Sequence, residues 1–199
     1  ICSGSSSDLV ANGCSGSVEW YTNSSGTGTP FGTGSPLTVT PTSTTTYYAF
    51  CVNGSCKSST GNSATVNVSA PPNAGTLSGN QNICVGSTTT FASTQGGGNW
   101  SSSNLGVASI DASGVITGQS VGSSTISYTV NGTGGCPDAT ATILVNVLAN
   151  PLAGTASISQ TTICDGQTTD LSLNGYNGNI QWQSASSSAG PWVNISGAN

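Results

Sequence analysis

Chemistry in a protein needs nucleophiles, proton carriers or metal ligands, and this chain holds few of them. Its charged side chains are six acids and one base: Asp8, Glu19, Asp111, Asp138, Asp165, Asp170 and Lys57. It has seven cysteines, Cys2, Cys14, Cys51, Cys56, Cys84, Cys136 and Cys164, and no His. Two convergent carboxylates would serve glycoside hydrolysis, a clustered oxygen shell would hold Ca²⁺, and thiols can act as nucleophiles, metal ligands or disulfides. Without His there is no Ser-His-Asp or Cys-His relay and no His metal site. The acids are scattered, and no Asp-x-Asp run occurs. Asp111 stands in Asp-Ala-Ser-Gly, the pattern of a turn in which Asp accepts backbone N–H groups. A lone cation leaves no basic footprint for nucleic acid and no polybasic patch for a membrane surface. The expectation is no catalytic residue, no metal, no cofactor and no nucleic-acid partner. Disulfides are the expected role of the cysteines.

Composition narrows the setting. Hydrophobic residues make up 34% and the formal net charge is −5, outside the low-hydrophobicity, high-charge regime of disordered chains. The longest apolar stretch, around Ile143 to Ala149, is far short of the ~20 residues of a membrane helix, so no membrane insertion is expected. A Cys-containing, Thr-rich, Lys-poor chain suits an oxidising, extracellular place.

The chain repeats itself. Ile1-Cys2-Ser3-Gly4, Ile83-Cys84-Val85-Gly86 and Ile163-Cys164-Asp165-Gly166 recur about 80 residues apart, and Trp20, Trp100 and Trp182 follow at the same period. Ala74-Gly75-Thr76 before Cys84 returns as Ala153-Gly154-Thr155 before Cys164. Asp8 and Asp170 hold one repeat position, and Thr90 stands there in the middle repeat, which marks a solvent-facing strand position. Pro71-Pro72 and Asn150-Pro151 mark the joins, short and semi-rigid. The repeats are therefore 1–69, which lacks its first strand, 70–148, which is complete, and 149–199, the N-terminal part of a third.

Positioning elements come from period-2 alternation, the strand signal. Leu37 to Thr40, Ala64 to Val68, Thr125 to Val130 and Ile143 to Val147 alternate, and they are rich in the Thr, Val, Tyr and Ile that fit a pleated surface. Asn12-Gly13, Asn53-Gly54, Ser113-Gly114, Asn131-Gly132 and Asn174-Gly175 supply turns. Many short strands with frequent turns predict an all-β chain of small antiparallel sandwiches. Each repeat's Trp falls in a short strand, as in Val18 to Tyr21 and Ile180 to Gln183, so Trp20, Trp100 and Trp182 are expected in cores.

These residues resemble a known group. In the middle repeat, Trp100 to Ser103, Val107 to Asp111, Gly114 to Gly118 and Gly122 to Ile126 resemble the bacterial Ig-like group 2 domain. In the flanking repeats, Trp20-Tyr21-Thr22, Gly34 to Val39, Thr44 to Ala49, Ile180 to Gln183 and Trp192 to Gly197 resemble Ig-like repeats of very large Bacteroidota surface proteins. The resemblance implies tandem Ig-like antiparallel β-sandwiches of about 80 residues each. It also implies a setting among gliding adhesins and other cell-surface proteins exported by the type IX system.

Cysteine pairing can be argued from the repeat. The middle repeat holds only Cys84 and Cys136, which makes Cys84–Cys136 the simplest bond. Aligning Asn53-Gly54 with Asn131-Gly132 sets Cys56 opposite Cys136, giving Cys2–Cys56 by analogy and leaving Cys14–Cys51, whose strand ends fall at one end of the sandwich. Cys164 then has no partner among these residues. A standard Ig fold puts Cys84 and Cys136 at opposite ends, however, and bridged Cα atoms must lie within about 7 Å. The alternative joins Cys2 of one repeat to Cys136 of the next, stapling repeats end to end.

Exposed aromatic rings are the remaining candidate surface. Tyr21 points away from Trp20, and adjacent Tyr47 and Tyr48 face opposite ways, so Tyr21, Tyr48, Phe31 and Trp192 are candidates for contact with a ligand or another subunit. The reading is a structural and adhesive extracellular stalk or fibre on a bacterial surface. Its expected partners are neighbouring repeats, copies of itself or surface glycans. The rival is a carbohydrate-binding accessory region of a secreted glycan-degrading enzyme.

Overall fold

Alternating Val, Thr, Tyr and Ile put one face of each segment against a core and the other toward water. In the computed structural model, which describes residues 1–197, these segments are strands, and no helix occurs among the described residues. The chain is all-β, and its first two repeats are Ig-like in their sandwich architecture. It divides into 1–147 and 148–199, so the first two repeats form one unit.

The first repeat has seven strands: β1 (Ser7–Leu9), β2 (Ser17–Tyr21), β3 (Gly32–Thr33), β4 (Leu37–Val39), β5 (Thr45–Asn53), β6 (Cys56–Lys57) and β7 (Asn62–Val66). The nine-residue β5 is the hub. It pairs with β2, setting Trp20 opposite Ala49, and with β7, setting Thr45 opposite Val66. Asn53-Gly54 turns β5 into β6, with Asn53 opposite Cys56. The β1–β4 pair closes the other side, so Leu9, Val18, Trp20, Val39, Tyr47 and Val66 share one core. Trp20 is 1% exposed, and its indole N–H donates to the Gly34 carbonyl at 2.8 Å.

The second repeat adds β8 (Leu77–Ser78), β9 (Asn82–Cys84), β10 (Thr88–Thr90), β11 (Ala92–Ser93), β12 (Asn99–Ser102), β13 (Ala108–Ile110), β14 (Val115–Gly118), β15 (Gly122–Val130) and β16 (Ala139–Leu148). One sheet runs β12-β15-β16-β9 and another β10-β14-β13. Phe91, Ala108, Ile116, Ile126, Val145 and Val147 fill the space between them. Trp100 sits at the edge of this core, half-buried, with its ring 4.7 Å from that of its cross-strand partner Tyr128. The Ser-rich run after Trp100 has a packing role. Buried Ser124 lies 2.8 Å from Ser102 Oγ and accepts the Asn104 N–H at 3.0 Å, so the polar atoms beneath the loop are satisfied. Gly114 turns at φ 84°, where a Cβ would meet the Phe91 carbonyl oxygen at 2.4 Å.

Residues 148–197 hold β17 (Thr155–Ile158) paired with β18 (Leu171–Asn174), and β19 (Gln183–Ser184) paired with β20 (Val193–Asn194). The strand expected over 180–183 begins only at Gln183. Trp182, expected in a core, is half-buried. Each pair in this unit is a separate two-stranded sheet, and among the described residues of this unit none joins a buried core cluster. Leu152, Leu171 and Val193 are exposed.

Candidate functional site

The feature that joins elements far apart in sequence is the junction between the first two repeats. Ser69 leaves the first repeat and is clamped by Ile1 and Ser3. Its N–H donates to the Ile1 carbonyl and its carbonyl accepts the Ser3 N–H, both at 2.9 Å. That clamp fixes Cys2 in a bridge beside Ser69. From the other repeat, the loop between β15 and β16 approaches so closely that a Cβ on Gly134 would lie 2.1 Å from Ser69 Oγ. Cys136, on this loop, is bonded to Cys2, with Cα atoms 4.6 Å apart. Both cysteines are buried, and Cys136 Sγ lies 3.5 Å from the Ser69 carbonyl oxygen.

This bond corrects two expected pairings. Cys2 is not bonded to Cys56, because the two lie at opposite ends of β5. Cys56 stands opposite Asn53 at one end, while Ser69 and Cys2 lie beyond Val66, opposite Thr45 at the other. A strand of that length separates them by roughly 30 Å, against about 7 Å for a bond. Cys84 is not bonded to Cys136 for the same reason. Cys84 ends β9, whose neighbour Gln81 accepts the Asn146 N–H near the end of β16, whereas Cys136 precedes the start of that ten-residue strand. Cys14 and Cys51 are bonded, with Cα atoms 5.5 Å apart. Cys56, Cys84 and Cys164 are free thiols, and Cys56 and Cys164 are exposed.

Within the first unit the candidate contact rings do not form one surface. Tyr21, expected to face outward, is 3% exposed. It does lie on the face away from Trp20, but that face is covered. Phe50 packs edge-on against its ring at 5.5 Å, and Lys57 Nζ sits 3.8 Å above it. Lys57 also lies 3.5 Å from Glu19, which accepts the Tyr21 hydroxyl at 2.7 Å, and donates to the Gly26 carbonyl. Desolvation pulls the ammonium pKa down, but its interactions with Tyr21 and then Glu19 outweigh this and hold it above the ordinary lysine value. This clamp pins the β5–β6 hairpin and was missed from sequence. Its signal was the single cation of the chain, two strands from Glu19. Tyr48 is half-buried on the same face as Tyr21. Phe31 is exposed and rests against Tyr47, on the other side of β5, and Trp192 is exposed in the second unit.

Acid chemistry is dispersed. Among the described residues no three His, Cys, Asp or Glu side chains gather as a metal shell. An open groove of about 390 Å³ beside Cys14 is lined by neutral groups such as Val10, Ala11, Trp20, Phe50 and Asn62. Asp8 accepts the Thr38 hydroxyl at 2.6 Å across the β1–β4 pair, and Asp138 accepts the Gly132 N–H at 2.8 Å. Asp111 accepts the Ser113 hydroxyl at 2.7 Å and the N–H groups of Ser113 and Val115 at 2.8 and 3.0 Å. The Ser113 hydroxyl, then the Val115 N–H, hold its carboxyl below the ordinary Asp range. A carboxylate with a lowered pKa stabilises the fold above its unfolded pKa and loses that contribution as pH falls through the folded one. Urea midpoints measured from neutral pH to below about pH 4 should fall for the second repeat, and Asp111→Asn should lower the neutral midpoint and flatten the slope. An unchanged slope would place the acid sensitivity elsewhere.

Fold and junction together define a class: tandem Ig-like β-sandwiches joined by a covalent bond across the repeat boundary. Residues 1–70 match the family model described as "Ig-like domain CHU_C associated", and residues 152–199 match one described as "Domain of unknown function (DUF8696)". No curated protein matches the chain. Among solved structures it is similar to "Structure of surface layer protein SbsC, domains 1-6", with 18% identity and a TM-score of 0.30 over 90% of this chain and 28% of that one. It is also similar to "Crystal structure of the S-layer protein rSbsC(31-844)", with 18% identity and a TM-score of 0.31 over 94% of this chain and 29% of that one. The chain thus spans under a third of the length of either structure.

Proposed function

We propose that this chain is a structural, non-enzymatic region of an extracellular bacterial surface protein, in which tandem Ig-like modules form a stalk or fibre that holds an adhesive part away from the cell. The observation that carries the reading is the Cys2–Cys136 bond. It spans two repeats, so a pull along the chain passes from residue 2 directly to residue 136 and bypasses the first sandwich and β8 to β15 of the second. A bond of this kind is useful to a load-bearing tether and idle in an isolated binding module. Disulfides persist in oxidising compartments, which supports an extracellular place. The Bacteroidota setting, type IX export and kinship with gliding adhesins rest on the sequence resemblance.

Antibodies against residues 1–147 should label intact cells of the source organism without permeabilisation. Labelling that needs permeabilised cells would sink the surface assignment. A glycan array separates the rival reading, which exposed Phe31 and Trp192 favour. Binding of a defined glycan that is lost in Trp192→Ala or Tyr48→Ala would favour the carbohydrate-binding region instead.

A further inference from the structure

Three thiols are left over, and they fall into the two types that the Cys2–Cys136 bond joins. Cys84 and Cys164 stand in Ile-Cys-x-Gly, as Cys2 does in the first repeat. Cys56 stands where Cys136 does, between the long hub strand and the last strand of its repeat. β5 and β15 are both nine residues, both pair with the Trp-bearing strand, and both pair next with the strand that closes the repeat. Within 1–147 the placement is polar. Cys2 lies at the exit of the first repeat beside Ser69, and Cys136 lies at the entry of the second. Cys84, whose carbonyl oxygen and the Val147 side chain would both lie 2.9 Å from a Cβ on Gly118, is at the exit of the second repeat, and Cys56, opposite Asn53, is at the entry of the first. The Lys57 clamp holds the hairpin that presents Cys56, which is itself exposed.

We propose that Cys2–Cys136 is one rung of a disulfide ladder, in which the Ile-Cys cysteine of each Ig-like repeat bonds the loop cysteine of the repeat that follows it. Cys56 is then the receiving half of a rung from a preceding repeat, and Cys84 and Cys164 are donating halves. The partner is an Ig-like repeat of the same kind, supplied by more of the same polypeptide or by a second copy. The inference needs only the chemistry of the junction and holds whether or not the chain stands on a cell surface.

The bond forms by exchange with a small-molecule disulfide such as oxidised glutathione. The Cys56 thiolate attacks one sulfur, forming a mixed disulfide and releasing one glutathione thiolate. An Ile-Cys thiolate then attacks the Cys56 sulfur, forming the rung and releasing the second glutathione. The two protons given up by the protein thiols are taken up by the two released glutathione thiolates, which thereby carry the two electrons as thiols.

The test uses the whole chain. It is reduced and then reoxidised at high protein concentration in a glutathione redox buffer that recloses Cys2–Cys136, and its disulfides are mapped under non-reducing conditions. The expected interchain peptides join Cys56 to Cys84 or Cys164. Cys56→Ser, at an exposed hairpin position, should abolish interchain linkage while leaving Cys2–Cys136 intact. Predominant Cys56–Cys56 or Cys84–Cys164 bonds would overturn the ladder. So would three thiols that stay free to alkylation after Cys2–Cys136 has closed. Linkage lost on dilution before oxidation identifies a second copy as the source. The same type of rung formed at any dilution in a longer polypeptide identifies the flanking repeat.

Discussion

Stretched between its ends, the native chain should release far less length than the Cys2→Ser/Cys136→Ser variant. The bond closes a loop with a sequence separation of 134, and the Cys14–Cys51 bond, with a separation of 37, lies wholly inside it. At ~3.4 Å per extended residue, opening the outer loop while the inner bond stays closed frees roughly 330 Å, and reducing the inner bond frees about 125 Å more. The first sandwich should therefore give no unfolding event in the native chain and one clear event in the variant. Both sandwiches keep their own cores in the variant, because the two apolar clusters share no residue. Equal lengths for native and variant chains in single-molecule stretching would refute the bond across the repeats. Two bonds confined within repeats would leave the segment between Cys56 and Cys84 extensible, which gives a different and recognisable length. In the chain-entropy model a loop of this size also contributes about 5 kcal/mol against unfolding, so the variant should melt at lower temperature as well.

Much of this molecule is legible in its sequence, and what is not legible has a common cause. The repeat, the all-β class and the strands around Trp20, Leu37 and Thr125 are visible because alternation and turn residues are local signals. The disulfides are not local. Counting cysteines within a repeat pairs Cys84 with Cys136, but the position of each along β16 decides the matter, and that position depends on register. Tyr21 shows the same limit. Alternation correctly sets it on the face away from Trp20, yet cannot say that Phe50 and Lys57 cover that face. Trp182 fails for the opposite reason, since its local pattern matches Trp20 but it joins no buried core cluster among the described residues. Periodicity fixes orientation, and burial depends on what packs above.

Replacing each Trp by Ala should expose that difference as an order of stabilities. Trp20→Ala removes a ring that is 1% exposed and leaves the Gly34 carbonyl without its indole donor. Large-to-small changes of this kind cost about 3–5 kcal/mol, and the lost part-buried hydrogen bond adds about 1 kcal/mol. Trp100→Ala should cost less, because the ring is already partly exposed at the core edge and its pairing with Tyr128 is worth about 0.5–1.5 kcal/mol beyond the area it buries. Trp182→Ala should change least, since its ring joins no buried core cluster among the described residues. A chain of several cores does not unfold in one step, so hydrogen exchange resolved by repeat is the proper readout. Protection should collapse in β2 and β5 for Trp20→Ala, fall moderately in β12 and β15 for Trp100→Ala, and stay nearly unchanged in 148–197 for Trp182→Ala. Equal losses at all three sites would mean that the repeat alone determines the role of its Trp, and that the layer packed above each ring does not.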